Sequence, residues 1–113
     1  MKIIGLGSAG CNIAAVFSKF PQYETYGIDV HKEADITIKK RKTHEEYDTH
    51  FPNLKRKLKF SNEEVYVITC GSGRISGALL QLLSQLRGNT VTVLYVQPDL
   101  VLASEIQKTQ ENI

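Results

Sequence analysis

Two glycine-rich turns, each set between a strand-like run and a helix-like run, constrain this chain more than any other feature. The first is Gly5-Leu6-Gly7-Ser8-Ala9-Gly10, which ends the apolar run over residues 2–6 and precedes Ile13, Val16, Phe17 and Phe20 at helical spacing. The second is Gly71-Ser72-Gly73-Arg74-Ile75-Ser76-Gly77, which follows Val65-Tyr66-Val67-Ile68-Thr69 and opens the stripe Ala78, Leu79, Leu82, Leu83 and Leu86. Short apolar runs bounded by glycine read as buried strands, and apolar residues three and four apart read as helices.

The rest of the chain extends this pattern. Residues 10–20 are expected to be a helix that Pro21 ends, residues 24–30 a second strand, and Thr90 to Val96 a further strand that Pro98 punctuates. Gly88 is expected to close the second helix. Strand, helix, strand, then strand, helix, strand predicts one α/β domain over residues 1–113. Its doubly wound, mainly parallel Rossmann-like sheet carries helices on both faces. Phe17, Phe20 and Leu79 to Leu86 are expected to be core. Residues 31–60 differ: they hold nine of the fourteen Lys and Arg residues and all three histidines. Irregular structure is expected there, with a short strand near Ile36–Ile38 and one poorly defined helix.

Composition narrows the class. The chain is 42% hydrophobic and 23% charged, as globular domains are, and its net charge of +2 does not argue for nucleic acid by itself. No run approaches the ~20 apolar residues of a membrane span. Two cysteines, Cys11 and Cys70, lie outside any C-x-x-C pair and form no disulfide framework. The first residues are not a secretory signal, because their apolar run stops at glycine. A reducing, cytoplasmic setting is the default.

The first loop has a specific physical logic. Glycine permits a sharp turn and lets a phosphate approach the backbone. The following helix start offers unpaired N–H groups and the positive end of a dipole. Ser8 and Asn12 add polar side chains beside it. Asp29 ends the second strand nineteen positions after Gly10, the spacing of the acid that bonds the adenine-side ribose in dinucleotide folds. An NAD-binding regulatory or oxidoreductase domain is therefore one reading of Gly5, Gly7, Gly10 and Asp29. A tight turn with no ligand is the bland one.

A dinucleotide fold has one such loop, and this chain has two. No G-x-x-x-x-G-K-[ST] run is present, so the second is not a P-loop. Two loops at the carboxyl ends of neighbouring strands would grip one polyphosphate from two sides, in the crevice where doubly wound sheets bind ligands.

Ile3-Ile4-Gly5-Leu6-Gly7-Ser8-Ala9-Gly10-Cys11-Asn12 resembles the first nucleotide loop of the bacterial division protein FtsZ. Gly71, Gly73, Ser76 and Gly77 match the tubulin/FtsZ signature G-G-G-T-G-[ST]-G. The strand Thr90 to Val96 with Gln97-Pro98 resembles that family's strand ending in lysine-proline, and residues 98–113 have the pattern of its next helix. The resemblance covers residues 1–30 and 62–113; the middle has no clear counterpart. It implies a GTP- or GDP-binding domain, with Mg as a companion ion. Gly71, Ser72, Gly73, Arg74, Ser76 and Gly77 would lie on the phosphates, with Gly7, Ser8, Ala9, Gly10, Cys11 and Asn12 beside them and the sugar. It also implies head-to-tail filaments of a full-length protein, whose GTPase chemistry needs an acidic loop further along the family's chain. The chain alone is expected to bind without efficient hydrolysis, and no catalytic residue is assigned. Three positions depart from the signature: Ser72, Arg74 and Ile75 stand where it has glycine, threonine and glycine. Arg74 suits phosphate oxygens, whereas Ile75 crowds a backbone that must approach the ligand. A degenerate module that has lost its nucleotide is thus a third reading.

The remaining features are weaker. Lys39-Lys40-Arg41-Lys42 and Lys55-Arg56-Lys57 read as solvated loop charge, with an anionic partner such as nucleic acid or an assembly neighbour as the alternative. His31, His44 and His50 with Glu45, Glu46 and Asp48 match no zinc spacing, so no metal site is expected. Cys11 and Cys70 flank the two loops and read either as small packing residues or as a redox-sensitive pair. Leu102, Ala103, Ile106 and Ile113 recur at near-helical spacing with no closing cap, which predicts a piece of a longer protein; a naturally short protein with a terminal helix is the bland reading, and a truncated chain is expected to dimerise through that stripe.

Overall fold

The computed structural model describes residues 1–96. Strand β1 (Lys2–Leu6) runs straight into helix α1 (Gly7–Phe17), followed by β2 (Glu24–Asp29) and the two-residue β3 (Ile36–Thr37). Helix α2 (His44–Thr49) precedes β4 (Glu64–Cys70). A 3-10 segment (Arg74–Ala78), α3 (Leu79–Gln85) and β5 (Thr90–Val96) complete the described chain. The expected helix over residues 98–113 and the Gln97-Pro98 junction lie outside the described residues.

All five strands are parallel, in the order β3-β2-β1-β4-β5. The fold is a Rossmann-like α/β sheet. Alternation along β1 sends Ile4 and Leu6 to one face and Ile3 to the other. On the first face they meet Ile28, Val65, Val67, Leu82 and Leu86, all 0–1% exposed. On the second, Ile3 and Ile68 pack under Ala14 of α1, with Ile13 and Phe17 at the margin. No helix among the described residues is long and apolar enough to cross a membrane.

Helix α1 differs from its expected form in position and in face. It starts at Gly7, whose φ of +85° turns the chain directly from strand to helix, and it stops at Phe17. The face it buries carries Gly7, Gly10 and Ala14 rather than the large residues. A Cβ at Gly5 would lie 2.5 Å from the Gly10 carbonyl oxygen, and one at Gly10 would run into the Ile68 carbonyl. Helix and sheet therefore meet backbone to backbone, and no large side chain fits between them. Val16 and Phe20 consequently stay outside, 57% and 48% exposed, contrary to the expectation that Phe20 is core. Phe20 instead packs edge-on to Tyr23, in the turn that leads to β2. Leu80 is likewise 73% exposed, because α3 turns only Leu82 and its neighbours inward.

Residues 31–60 form a covering layer that contains the expected short strand, β3, and helix, α2. Ile36, Ile38, Tyr47, Leu54 and Leu58 join the larger core cluster, each 3–6% exposed. Thr43 caps α2 by accepting from the Glu46 N–H at 3.1 Å, with Glu45 and Glu46 in the favourable first turn. The Gln85 side chain reaches from α3 to accept from the Leu54 N–H at 2.7 Å and to donate to the Pro52 carbonyl at 2.9 Å.

Candidate functional site

The strand order places a topological switch at β1, whose neighbours β2 and β4 lead in opposite directions. In open α/β sheets ligands bind outside the carboxyl ends of the strands at such a point. Register puts Leu6 level with Ile28 and with Thr69. The residues that follow, Gly7, Asp29 and Cys70, thus leave the sheet at one height. Both glycine loops stand on adjacent strands, and the Thr69 hydroxyl ties them by donating to the Leu6 carbonyl at 3.1 Å.

Asp29 is 7% exposed. Its carboxylate accepts from the Ser8 hydroxyl at 3.0 Å and from the Val30 N–H at 2.8 Å, and His31 stands 4.0 Å away. The α1 start beside it carries no capping side chain and no acid in its first turn, in contrast to α2. A cavity of about 620 Å³ opens here, lined by Ser8, Cys11, Asn12, Asp29, His31 and Asp35 among others. The Asp35 carboxylate accepts from the Gly27 N–H at 2.7 Å. This volume is typical of small-molecule sites.

Cys11 faces inward between β1 and β2, with its thiol 3.5 Å from the Gly5 carbonyl oxygen and 3.6 Å from that of Ile28. Burial, reinforced by the Asp29 charge, pushes it up to about 11, above its ordinary value. Cys70 pairs with the Ser72 hydroxyl at 3.1 Å, and both thiols are free. Cys11 is thus held in its neutral form at the helix start, despite the dipole.

Comparison with protein-family models, with curated proteins and with solved structures gives no match.

The second loop is arranged differently from the first. None of its residues lines the large cavity. Ile75 is 8% exposed and turns toward the first loop, so that a Cβ at Gly7 would lie 2.6 Å from its Cγ2. The Ser76 hydroxyl donates to the Gly73 carbonyl at 2.7 Å within the loop. Gly71 lies under the ring of Tyr95, and Gly77 is pressed against the His44 backbone at the start of α2. Arg74 and Ser72 are exposed. Of the predicted site residues, Ser8, Cys11, Asn12 and Asp29 meet around one cavity. Gly7 and Gly10 shape the turn and the helix contact, and Ala9 is exposed in the first turn of α1. Gly71, Ser72, Gly73, Arg74, Ser76 and Gly77 form a neighbouring wall separated from that cavity. Sequence reasoning weighed His31 only as a metal ligand, and it did not find Asp35, which belongs to no motif, or Tyr95, whose only signal is its alternate position on β5. Among the described residues no cluster of three metal-ligating side chains exists.

Proposed function

We propose that this chain is the nucleotide-binding domain of a tubulin/FtsZ-like protein of the cytoplasm, holding GTP or GDP at the carboxyl end of β1. The observation that supports this reading most is the parallel order β3-β2-β1-β4-β5, which sets both glycine loops on adjacent strands beside an uncapped α1. Phosphate belongs at the N–H groups of that first turn, where the dipole favours an anion. Asp29 and Asp35 make the adjoining cavity acidic, so it suits hydroxyl- and amine-bearing parts of the ligand, such as ribose and base, rather than phosphate. With Ile75 against Gly7, the second loop supports the first, and Arg74 is its exposed cation. Head-to-tail assembly and hydrolysis belong to this proposal only for a longer protein, and any Mg would come with the phosphates.

A second reading is favoured by one observation. Asp29 ends β2, is level with Gly7 and faces the cavity, which is the layout that holds the adenosine ribose of NAD.

Thermal denaturation with GTP, GDP, NAD and NADH separates the two. A ligand at a hundred times its Kd adds about 2.7 kcal/mol. A rise selective for GTP or GDP supports the first reading, and one selective for NAD or NADH replaces it. No rise with any of the four, in a folded chain, means a module without nucleotide.

A further inference from the structure

We infer that the layer formed by residues 39–59 is a docking surface for the phosphate backbone of a nucleic acid strand, on a part of the molecule separate from the cavity beside Asp29. Eight cations lie in this segment: Lys39, Lys40, Arg41, Lys42, Lys55, Arg56, Lys57 and Lys59. Only three acids, Glu45, Glu46 and Asp48, accompany them, so the segment carries +5 within a chain whose net charge is +2. The charge is thus concentrated on one layer and reversed over the remainder.

Three structural facts make this more than loop charge. First, the layer is anchored: Ile38 and Leu54 and Leu58 are buried at 4–6% exposure, while the cations beside them point outward. The turn over Lys55–Lys57 is closed by the N–H groups of Lys57 and Leu58, both donating to the Leu54 carbonyl at 2.9 Å. The cations therefore project from ordered backbone, which lowers the ordering cost of binding. Second, the ion pairs among the described residues are Lys2–Glu24 and Asp29–His31, and none of the eight cations takes part in one. Third, the first basic run borders a cleft of about 190 Å³, which Lys39 and Arg41 line together with His50, Phe51 and Pro52. No carboxylate lines it, and Phe51 offers an aromatic surface beside the cations.

Phosphate groups repeated along a strand match cations repeated along a surface, and Arg and Lys neutralise them with release of counterions. An aromatic edge beside the cations suits an unpaired base. An acidic polypeptide shares the charge but not the base, and serves as the competing ligand.

The test is fluorescence anisotropy of the whole chain with a labelled 20-nucleotide single strand and with a duplex of the same length, over a salt series. Binding at 50 mM salt is expected. With about four phosphates neutralised, log Kobs falls against log salt with a slope of about −3 to −4. Arg41→Glu, at the half-buried cation of the cleft, and Arg56→Glu, at an exposed cation of the second run, each weaken binding by about tenfold and flatten the slope. Lys19→Glu makes the same change in net charge on the other side of the sheet and shifts affinity less than about twofold. Tighter binding of the single strand assigns the Phe51 cleft a role; equal binding assigns the phosphates alone, and both support the surface. The inference is overturned if Lys19→Glu weakens binding as much as Arg41→Glu, if polyglutamate displaces the oligonucleotide at equal charge concentration, or if nothing binds at 50 mM salt.

Discussion

Ile75 stands directly against Gly7, close enough that a Cβ on the glycine would come within 2.6 Å of the isoleucine Cγ2. The contact closes the gap between the two glycine loops from the β4 side. Ile75→Ala removes that methyl group. Stability is expected to fall by about 2–4 kcal/mol, as for other buried isoleucines. Affinity for GTP is expected to rise by roughly fivefold, about 1 kcal/mol, because phosphate then has access to both loops. Urea denaturation reads the first effect and calorimetric titration the second. Unchanged affinity in a folded variant would show that the ligand never reaches the second loop.

The glycines of the first loop predict a graded series. Gly7 combines a positive φ with the Ile75 contact, and Gly10 lies against the Ile68 carbonyl with no room for a methyl group. Gly7→Ala and Gly10→Ala are each expected to cost about 1–3 kcal/mol, the range of overpacking in a filled core. Gly88 also has a positive φ, +91°, but nothing lies within 4 Å of its Cβ position. Gly88→Ala therefore isolates backbone strain, expected at about 1–2 kcal/mol. A Gly10→Ala variant as stable as the parent chain would rule out the close helix–sheet contact.

The sheet was legible because its signals are local. Alternation and glycine punctuation located β1 and β5 to the residue, and β4 within one residue at each end. What escaped depends on contacts between distant segments. Ile36, Ile38, Tyr47, Leu54 and Leu58 have no common period, so nothing in the sequence marks them as one covering layer. The inward face of α1 was misread for a related reason. Large apolar residues dominate a helical stripe, yet glycine and alanine are what the sheet admits at backbone distance. At the site, Asp29 was found by its spacing from Gly10, whereas the inward turn of Ile75 follows from a 3-10 segment that sequence periodicity does not distinguish from the start of a helix. Asp35 escaped because its role is to bind the Gly27 N–H, a contact between neighbouring strand ends with no motif.

The Gln85 bridge predicts a local effect on the covering layer. Its amide satisfies both the Leu54 N–H and the Pro52 carbonyl. Gln85→Ala leaves the half-buried Leu54 N–H without its partner, at a cost of about 1–3 kcal/mol. The loss is expected to loosen residues 52–58 before the sheet opens. Limited trypsin digestion reads this directly, because Lys55, Arg56 and Lys57 lie in the affected turn. Faster cleavage there, in urea concentrations that leave the far-ultraviolet dichroism intact, is the expected outcome. Cleavage at the parent rate would mean that Leu54 and Leu58 hold the layer by burial alone.

Cys11 ties the site to pH. Burial first, and the Asp29 charge second, keep its thiol protonated up to about pH 11 in the folded chain, against 9.0 for the free side chain. Where the folded pKa is the higher one, the unfolded chain releases its proton first as pH rises. The contribution of Cys11 is therefore complete below pH 9 and declines between about 9 and 11. Cys11→Ala is expected to flatten this part of the Tm–pH curve relative to the parent chain. Asp29→Asn removes the second cause, so the thiol should titrate lower and react faster with iodoacetamide at pH 8.5. Peptide mapping of the alkylated chain distinguishes Cys11 from Cys70. If Asp29→Asn leaves the Cys11 rate unchanged while the chain stays folded, burial and the lesser Asp35 charge set the thiol, and the Asp29 carboxylate does not act across the cavity.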